Sequence, residues 1–229
     1  MTKVIIINGS PRQDRGHTGM ILSPFIEGLK DKGAEVDLFY ASELKVKPCS
    51  CGHLYCWHKT PGECVYQDSM RELYEAVRKA QILVFGSPVY SPIPGDLQNI
   101  INRFVALLDP TLEFHDGRTR ARLRADVQLE KVVLVAGSGW WERENVNLLA
   151  HVIKEFAENA GITFSGTIVR PHIYAMRTNE GVTLEGAKVL AAIRQAANEL
   201  LAFGEFNPDT LDVISKPLLS RRVYEEYLG

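Results

Sequence analysis

Residues 3–8 read KVIIIN, and residues 9–18 continue GSPRQDRGHT. The first stretch is a nearly unbroken β-branched run, which suits a strand buried on both faces. Gly9, Ser10 and Pro11 break it. A helix-like segment follows from about Thr18 to Lys32, with Met20, Ile21, Phe25, Ile26 and Leu29 at helical spacing. Lys32-Gly33 ends that segment. Strand, turn and amphipathic helix together make a β/α unit, and a chain of such units implies a mostly parallel sheet with helices on both faces.

The pattern recurs along the chain. Ala34 to Tyr40 alternates as a second strand, and Gln81 to Gly86 (QILVFG), Lys131 to Ala136 (KVVLVA) and Thr163 to Val169 supply three more. Periodicity predicts helices over Met70–Ala80, Leu97–Leu107, Asn145–Ala160 (closed by Gly161) and Leu184–Phe203. Residues 41–68 read as a long loop, and the polar, Arg-rich residues 109–128 as an excursion between units. One domain over residues 1–203 follows, with a tail over 204–229. Leu211, Val213, Ile214, Leu218 and Leu219 are expected to pack that tail on the domain or on a partner subunit.

Composition sets limits on function. Apolar residues are 45% and charged residues 24%, as in ordinary globular proteins, and a net charge of -2 argues against a nucleic-acid surface. The local basic run Arg118, Arg120, Arg122, Arg124 reads as solvated surface or as a phosphate contact for a nicotinamide cofactor. The apolar run at the N-terminus is too short for a signal peptide or a bilayer span. That leads to the expectation of a cytoplasmic protein with no membrane partner, in which lasting disulfides are unfavoured.

In a sheet of this kind ligands bind outside the C-terminal strand ends, where the connection direction reverses. Three loops leave such ends: residues 9–17, 87–95 and 137–144. In the first, the Ser10 and Thr18 hydroxyls and the N–H groups of a helix start can donate to phosphate oxygens, and Arg12 or Arg15 can neutralise charge. Neither the dinucleotide fingerprint nor a P-loop ending is present, so a mononucleotide phosphate fits better. A plain turn with Thr18 as helix N-cap is the alternative. In the third loop, Trp140 and Trp141 could cover a ligand or fill a core.

Gly-Ser-Pro-Arg…Gly-His-Thr after the first strand and Gly-Ser-Pro-Val-Tyr after the third resemble a particular family: the NAD(P)H-dependent FMN reductase and iron–sulfur flavoprotein branch of the flavodoxin-like superfamily. The resemblance covers about residues 1–170, and Ile214-Ser-Lys-Pro-Leu adds to it. It implies an α/β flavodoxin-like three-layer sandwich whose five-stranded parallel sheet has order 2-1-3-4-5. It implies FMN, with Ser10, Arg12, His17 and Thr18 at the phosphate and Ser87, Pro88, Val89, Tyr90 and Ser91 along the ring. Gly137, Ser138 and Gly139 would form the third wall, where glycine permits close backbone approach. His17 stands where many relatives carry Asn, and Asn102 where they carry Asp before Arg103. NAD(P)H would be the co-substrate, and a quinone, a flavin or another small molecule the acceptor. An electron-transfer flavoprotein serving protein partners is the alternative, though carriers of the flavodoxin type are usually strongly acidic. A homodimer or homotetramer is implied as well. No side chain is singled out as catalytic, since the redox chemistry belongs to the cofactor.

All four cysteines fall in one stretch, Cys49, Cys51, Cys56 and Cys64, spaced C-x-C-x4-C-x7-C. Four thiolates in one loop can surround a [4Fe–4S] cluster or a tetrahedral zinc. They can also line a loop that holds neither. Iron–sulfur flavoproteins carry a compact four-cysteine loop at this place, and residues 56–64 match the ending of the C-x-G-C-x-x-C-W-x-K-T-P-G-x-C loop of more widespread relatives. In that alignment His53 falls where a second cysteine is usual, so either Cys51 or His53 is the candidate fourth ligand.

Overall fold

The computed structural model of the chain describes residues 1–115 and 117–228. Five strands form one parallel sheet: β1 (Lys3–Asn8), β2 (Glu35–Tyr40), β3 (Ile82–Pro88), β6 (Lys131–Gly137) and β7 (Thr163–Arg170). Their order is β2-β1-β3-β6-β7, which is the expected 2-1-3-4-5. Strands β4 (Leu108–His115) and β5 (Arg118–Leu123) lie between β3 and β6 in the chain but outside this sheet.

Alternation along buried strands divides the core in two. Ile5, Ile7, Leu83, Phe85, Val132 and Leu134 face α3 (Met70–Arg78), α4 (Gly95–Arg103) and α5 (Asn147–Ala160). Val4, Ile6, Val84, Val133 and Val135 face α1 (His17–Asp31) and α6 (Leu184–Phe203). Each β-branched strand residue thus supports one of two helical layers. Gly161 ends α5 at φ +68°, a left-handed conformation glycine adopts without strain. Among the described residues no helix is long and apolar enough to cross a membrane.

Three stretches differ from expectation. Residues 108–115 and 118–123 pair as an antiparallel hairpin, β4 against β5. It stands on ion pairs: Arg118 meets Glu155 at 2.7 Å, Arg120 meets Glu158 at 2.9 Å, and Arg122 meets Glu113 at 2.9 Å. Arg124 lies 3.8 Å from Asp126, so each arginine of this basic run has a carboxylate neighbour. The cysteine loop contains a single helical turn, α2 (Tyr55–His58). The tail folds into α7 (Pro208–Ser215) and α8 (Arg221–Leu228), with Ile214 and Tyr224 buried on the domain. Short strands β8 (Arg177–Thr178) and β9 (Gly181–Val182) pair just before α6.

Candidate functional site

The three loops meet because their strands are neighbours in register. Asn8 pairs with Gly86, and Pro88 with Gly137. Gly9 N–H donates to the Gly86 carbonyl at 2.7 Å, and Val89 N–H to the Gly137 carbonyl at 3.2 Å. A continuous wall therefore runs along the C-terminal ends of β1, β3 and β6.

The first loop is braced locally. Asn8 Oδ1 accepts from Ser10 N–H at 2.9 Å, and the Ser10 carbonyl accepts from Gln13 N–H at 3.0 Å. The N-cap of α1 is Gly16, with no side-chain cap, so Thr18 is not the cap but a buried residue of the first turn. The first-turn N–H groups are thus free of any side-chain acceptor. Arg12 and Arg15 are exposed beside them. With His17, Tyr174 and Arg177 they line a cavity of about 390 Å³. None of the three arginines has a carboxylate partner among the described residues. Burial lowers the His17 pKa, and the Arg177 and Arg12 charges lower it further.

The second loop offers an open ring. Ser87 is buried and donates through Oγ to the Pro88 carbonyl at 2.8 Å, and Tyr90 N–H donates to the Pro92 carbonyl at 2.9 Å. Pro88 and Val89 are half-buried, Ser91 is exposed, and Tyr90 stands 56% exposed above them.

The third loop is tied to the end of β7. Ser138 N–H donates to the Arg170 carbonyl at 2.9 Å, and the Ser138 carbonyl accepts from Ile173 N–H at 2.9 Å. Here glycine admits protein neighbours. A Cβ at Gly137 would lie 2.6 Å from Ile173 Cδ1, and one at Gly139 would lie 2.7 Å from the Tyr174 ring. The two tryptophans divide: Trp140 is exposed, whereas Trp141 stacks on buried His172 at 4.7 Å.

Tyr174 and Arg177 were not legible as site residues. Tyr174 lies edge-on to His17 at 5.0 Å and against Gly139, joining the first loop to the third. Their segment follows β7 and lacks the Gly/Ser/Pro density that marked the other loops, so position after a strand was the one signal available. Behind them lies buried Arg170. It donates to the carbonyls of Ile214 (2.6 Å), Lys216 (2.9 Å) and Pro171 (2.8 Å) and meets His172 Nε2. Burial brings its pKa down to about 10, and burial with the Arg170 charge brings His172 down to about 4. Tyr224 of α8 donates to the Gly139 carbonyl at 2.6 Å.

The cysteine loop forms a second centre. Cys49, Cys51, Cys56 and Cys64 all line one narrow space, together with Tyr66 and Arg103. Cys51 lines it and His53 does not. Backbone N–H groups of His53, Tyr55 and Leu54 hold the Cys51 thiol below its ordinary range, against burial. Burial and the neighbouring thiols push Cys56 up to about 11. No three His, Cys, Asp or Glu among the described residues gather closely enough for a single metal ion. This geometry does not provide the compact tetrahedral zinc site that the spacing allowed. On its other side Cys64 borders a charged cleft of about 870 Å³ under α3, away from the crevice.

The chain matches the NADPH-dependent FMN reductase family over residues 2–178. It belongs to that family. An iron–sulfur flavoprotein of Methanocaldococcus jannaschii is 37% identical over 118 residues, which is 51% of this chain and 57% of that one. One from Archaeoglobus fulgidus is 30% identical over 116 residues, 50% of this chain and 57% of that one. The chain thus spans little more than half the length of these curated relatives. Among solved structures, an FMN-dependent NADH-azoreductase from Bacillus anthracis in complex with FMN superposes with a TM-score of 0.62 at 16% identity. It covers 87% of this chain and 99% of its own. An NAD(P)H:quinone oxidoreductase from Methanothermobacter marburgensis gives 0.60 at 16% identity, over 87% and 97%. Both share the flavodoxin-like fold of this family member.

Proposed function

We propose that this family member is an NAD(P)H oxidoreductase that binds FMN across the β1, β3 and β6 loops and passes electrons to a quinone, a flavin or another small acceptor. One observation carries the reading: an uncapped helix start at the joined strand ends, beside three arginines that no carboxylate among the described residues answers. The residues fit the group. Ser10, Thr18 and the first-turn N–H groups of α1 supply neutral donors for a phosphate, and Arg12 and Arg177 supply charge. His17 adds a ring that burial and its arginine neighbours keep neutral near pH 7, so no extra cation needs a counter-ion there. Exposed Tyr90 and Trp140 offer flat apolar faces, and the backbone of residues 87–91 and 137–139 forms the wall between them.

When bound, the flavin supplies hydride acceptance from a nicotinamide and onward release of electrons. The chain's part is to hold, orient and desolvate. The bonds among Ser138, Arg170 and Ile173 fix the third loop before any ligand arrives, which limits reorganisation on binding.

The cysteine centre supports a second element of the reading. Four thiols around one space, one of them held by backbone N–H groups, suit a [4Fe–4S] cluster, whose ligands stand farther apart than those of a single ion. With that cluster, electron exchange with protein partners becomes the alternative function. A homodimer or homotetramer is part of the proposal, since Leu148, Leu184 and Phe203 leave large apolar side chains exposed.

The test is an absorption spectrum of anaerobically purified protein, with iron and sulfide assays, followed by NADPH oxidation with and without quinone. Flavin bands and quinone-dependent oxidation are expected. A colourless protein that refuses added FMN overturns the reading. Slow turnover with every small acceptor but fast exchange with a protein partner favours the alternative.

A further inference from the structure

We propose that Arg103 sets the reduction potential of the cysteine centre, as a buried cation placed on its wall; this rests on the reading that the four cysteines hold an iron–sulfur cluster. Arg103 lines the same space as Cys49, Cys51, Cys56 and Cys64. Its side chain is fully buried. The guanidinium forks onto Asp68 at 2.7 and 3.1 Å and donates to the Lys47 carbonyl at 2.8 Å. It also lies 5.0 Å over the Tyr66 ring, another wall residue. Its Nε has no hydrogen-bond partner among the described residues. Buried donors are normally satisfied, so an orphaned N–H on the wall of a thiol-lined space marks where an acceptor belongs. Thiolate and sulfide sulfur are acceptors of that kind.

A cluster's potential depends on net charge, on hydrogen bonds to its sulfurs and on exposure. A desolvated guanidinium supplies the first two and, by filling the wall, limits the third. It favours the form carrying the added electron. Asp68, only 5% exposed, pulls the other way and moderates the effect. The two charges therefore act on one quantity with opposite signs, which a packing role cannot imitate.

The test uses full-length protein purified anaerobically, with iron and sulfide counted per chain and the potential read by an EPR-monitored redox titration. Arg103→Gln is expected to shift the reduction equilibrium at least about tenfold toward the oxidised form, about 59 mV downward for a one-electron couple. Arg103→Lys, which keeps the charge and loses the fork, is expected to stay within about threefold of wild type. Asp68→Asn is expected to shift the potential upward. If Arg103→Gln does not fold, Arg103→Lys and Asp68→Asn decide the matter. Unmoved potentials in cluster-loaded variants, or shifts of the same sign in Arg103→Gln and Asp68→Asn, overturn the proposal. Wild-type protein that holds no iron or sulfide, even after reconstitution, overturns the cluster reading beneath it. A loaded wild type with insensitive variants overturns this inference alone.

Discussion

Two arginines are buried in this protein and held in opposite ways. Arg103, beside the cysteine loop, has a carboxylate: Asp68 takes both arms of its fork. Arg170, behind the crevice, has none among the described residues, and four neutral acceptors share it. The consequence appears in their proton affinity. Burial works against both charges, but Asp68 more than offsets it for Arg103, whose pKa is raised, whereas Arg170 falls to about 10. The comparison separates two uses of a buried cation. Arg103 belongs to a charged pair on the wall of a thiol-lined space. Arg170 is a many-armed donor that gathers carbonyls of the tail onto the end of β7.

The largest effect that would sharpen this contrast is on stability. Arg103→Met strands a buried carboxylate and is expected to cost about 4 kcal/mol in urea unfolding followed by circular dichroism. Arg103→Met combined with Asp68→Leu should recover most of that loss, because no charge is left unpaired. A double variant as unstable as the single would break the comparison at its Arg103 end.

Next is a pH effect on the Arg170 side. His172 protonates near 6.5 when unfolded but resists until about 4 in the fold. The unfolded chain therefore binds more protons between those values. The contribution is complete above about pH 6.5 and is lost as pH falls toward 4, up to roughly 3 kcal/mol. His172→Gln, which keeps an acceptor for Arg170, should flatten the dependence of Tm on pH across that window. An unchanged slope would remove His172 from the account.

A smaller effect contrasts paired surface arginines with unpaired ones. Arg12→Ala is expected to weaken FMN binding about tenfold in a fluorescence titration, the scale of one charge-assisted hydrogen bond. Arg122→Ala, on the hairpin and already paired with Glu113, should change it less than twofold. Equal effects would remove Arg12 from the phosphate site.

The central strands were legible because parallel strands buried on both faces must be continuously apolar, as in KVIIIN and KVVLVA, whereas their order rested on the family resemblance. The first, second and third loops were legible because turn formers follow such runs directly. The hairpin at Leu108–Leu123 was not, because its arginines are stabilised by Glu155 and Glu158 on a helix more than 30 residues away. Nothing local announces that. Helix α7 could have been found: Asn207 caps it by accepting from Asp209 N–H at 2.9 Å, and Pro208 occupies its first turn. Arg103 and Arg170 could not be singled out, since burial of a charged side chain is decided by what packs over it.

The smallest expected effect concerns the bond from Tyr224 to the Gly139 carbonyl. Tyr224→Phe should cost about 1 kcal/mol of stability. It should also weaken FMN binding a few-fold, read in the same titration.

That single bond has a bearing on biosynthesis. Domains tend to fold as the N-terminal portion leaves the ribosome. The strands and helices up to α6 can assemble while translation continues, yet the third loop, already held by Ser138, Arg170 and Ile173, lacks this last tie until residue 224 has been added. A nascent chain would thus reach a folded sheet before the proposed flavin site gains the last few-fold of its grip.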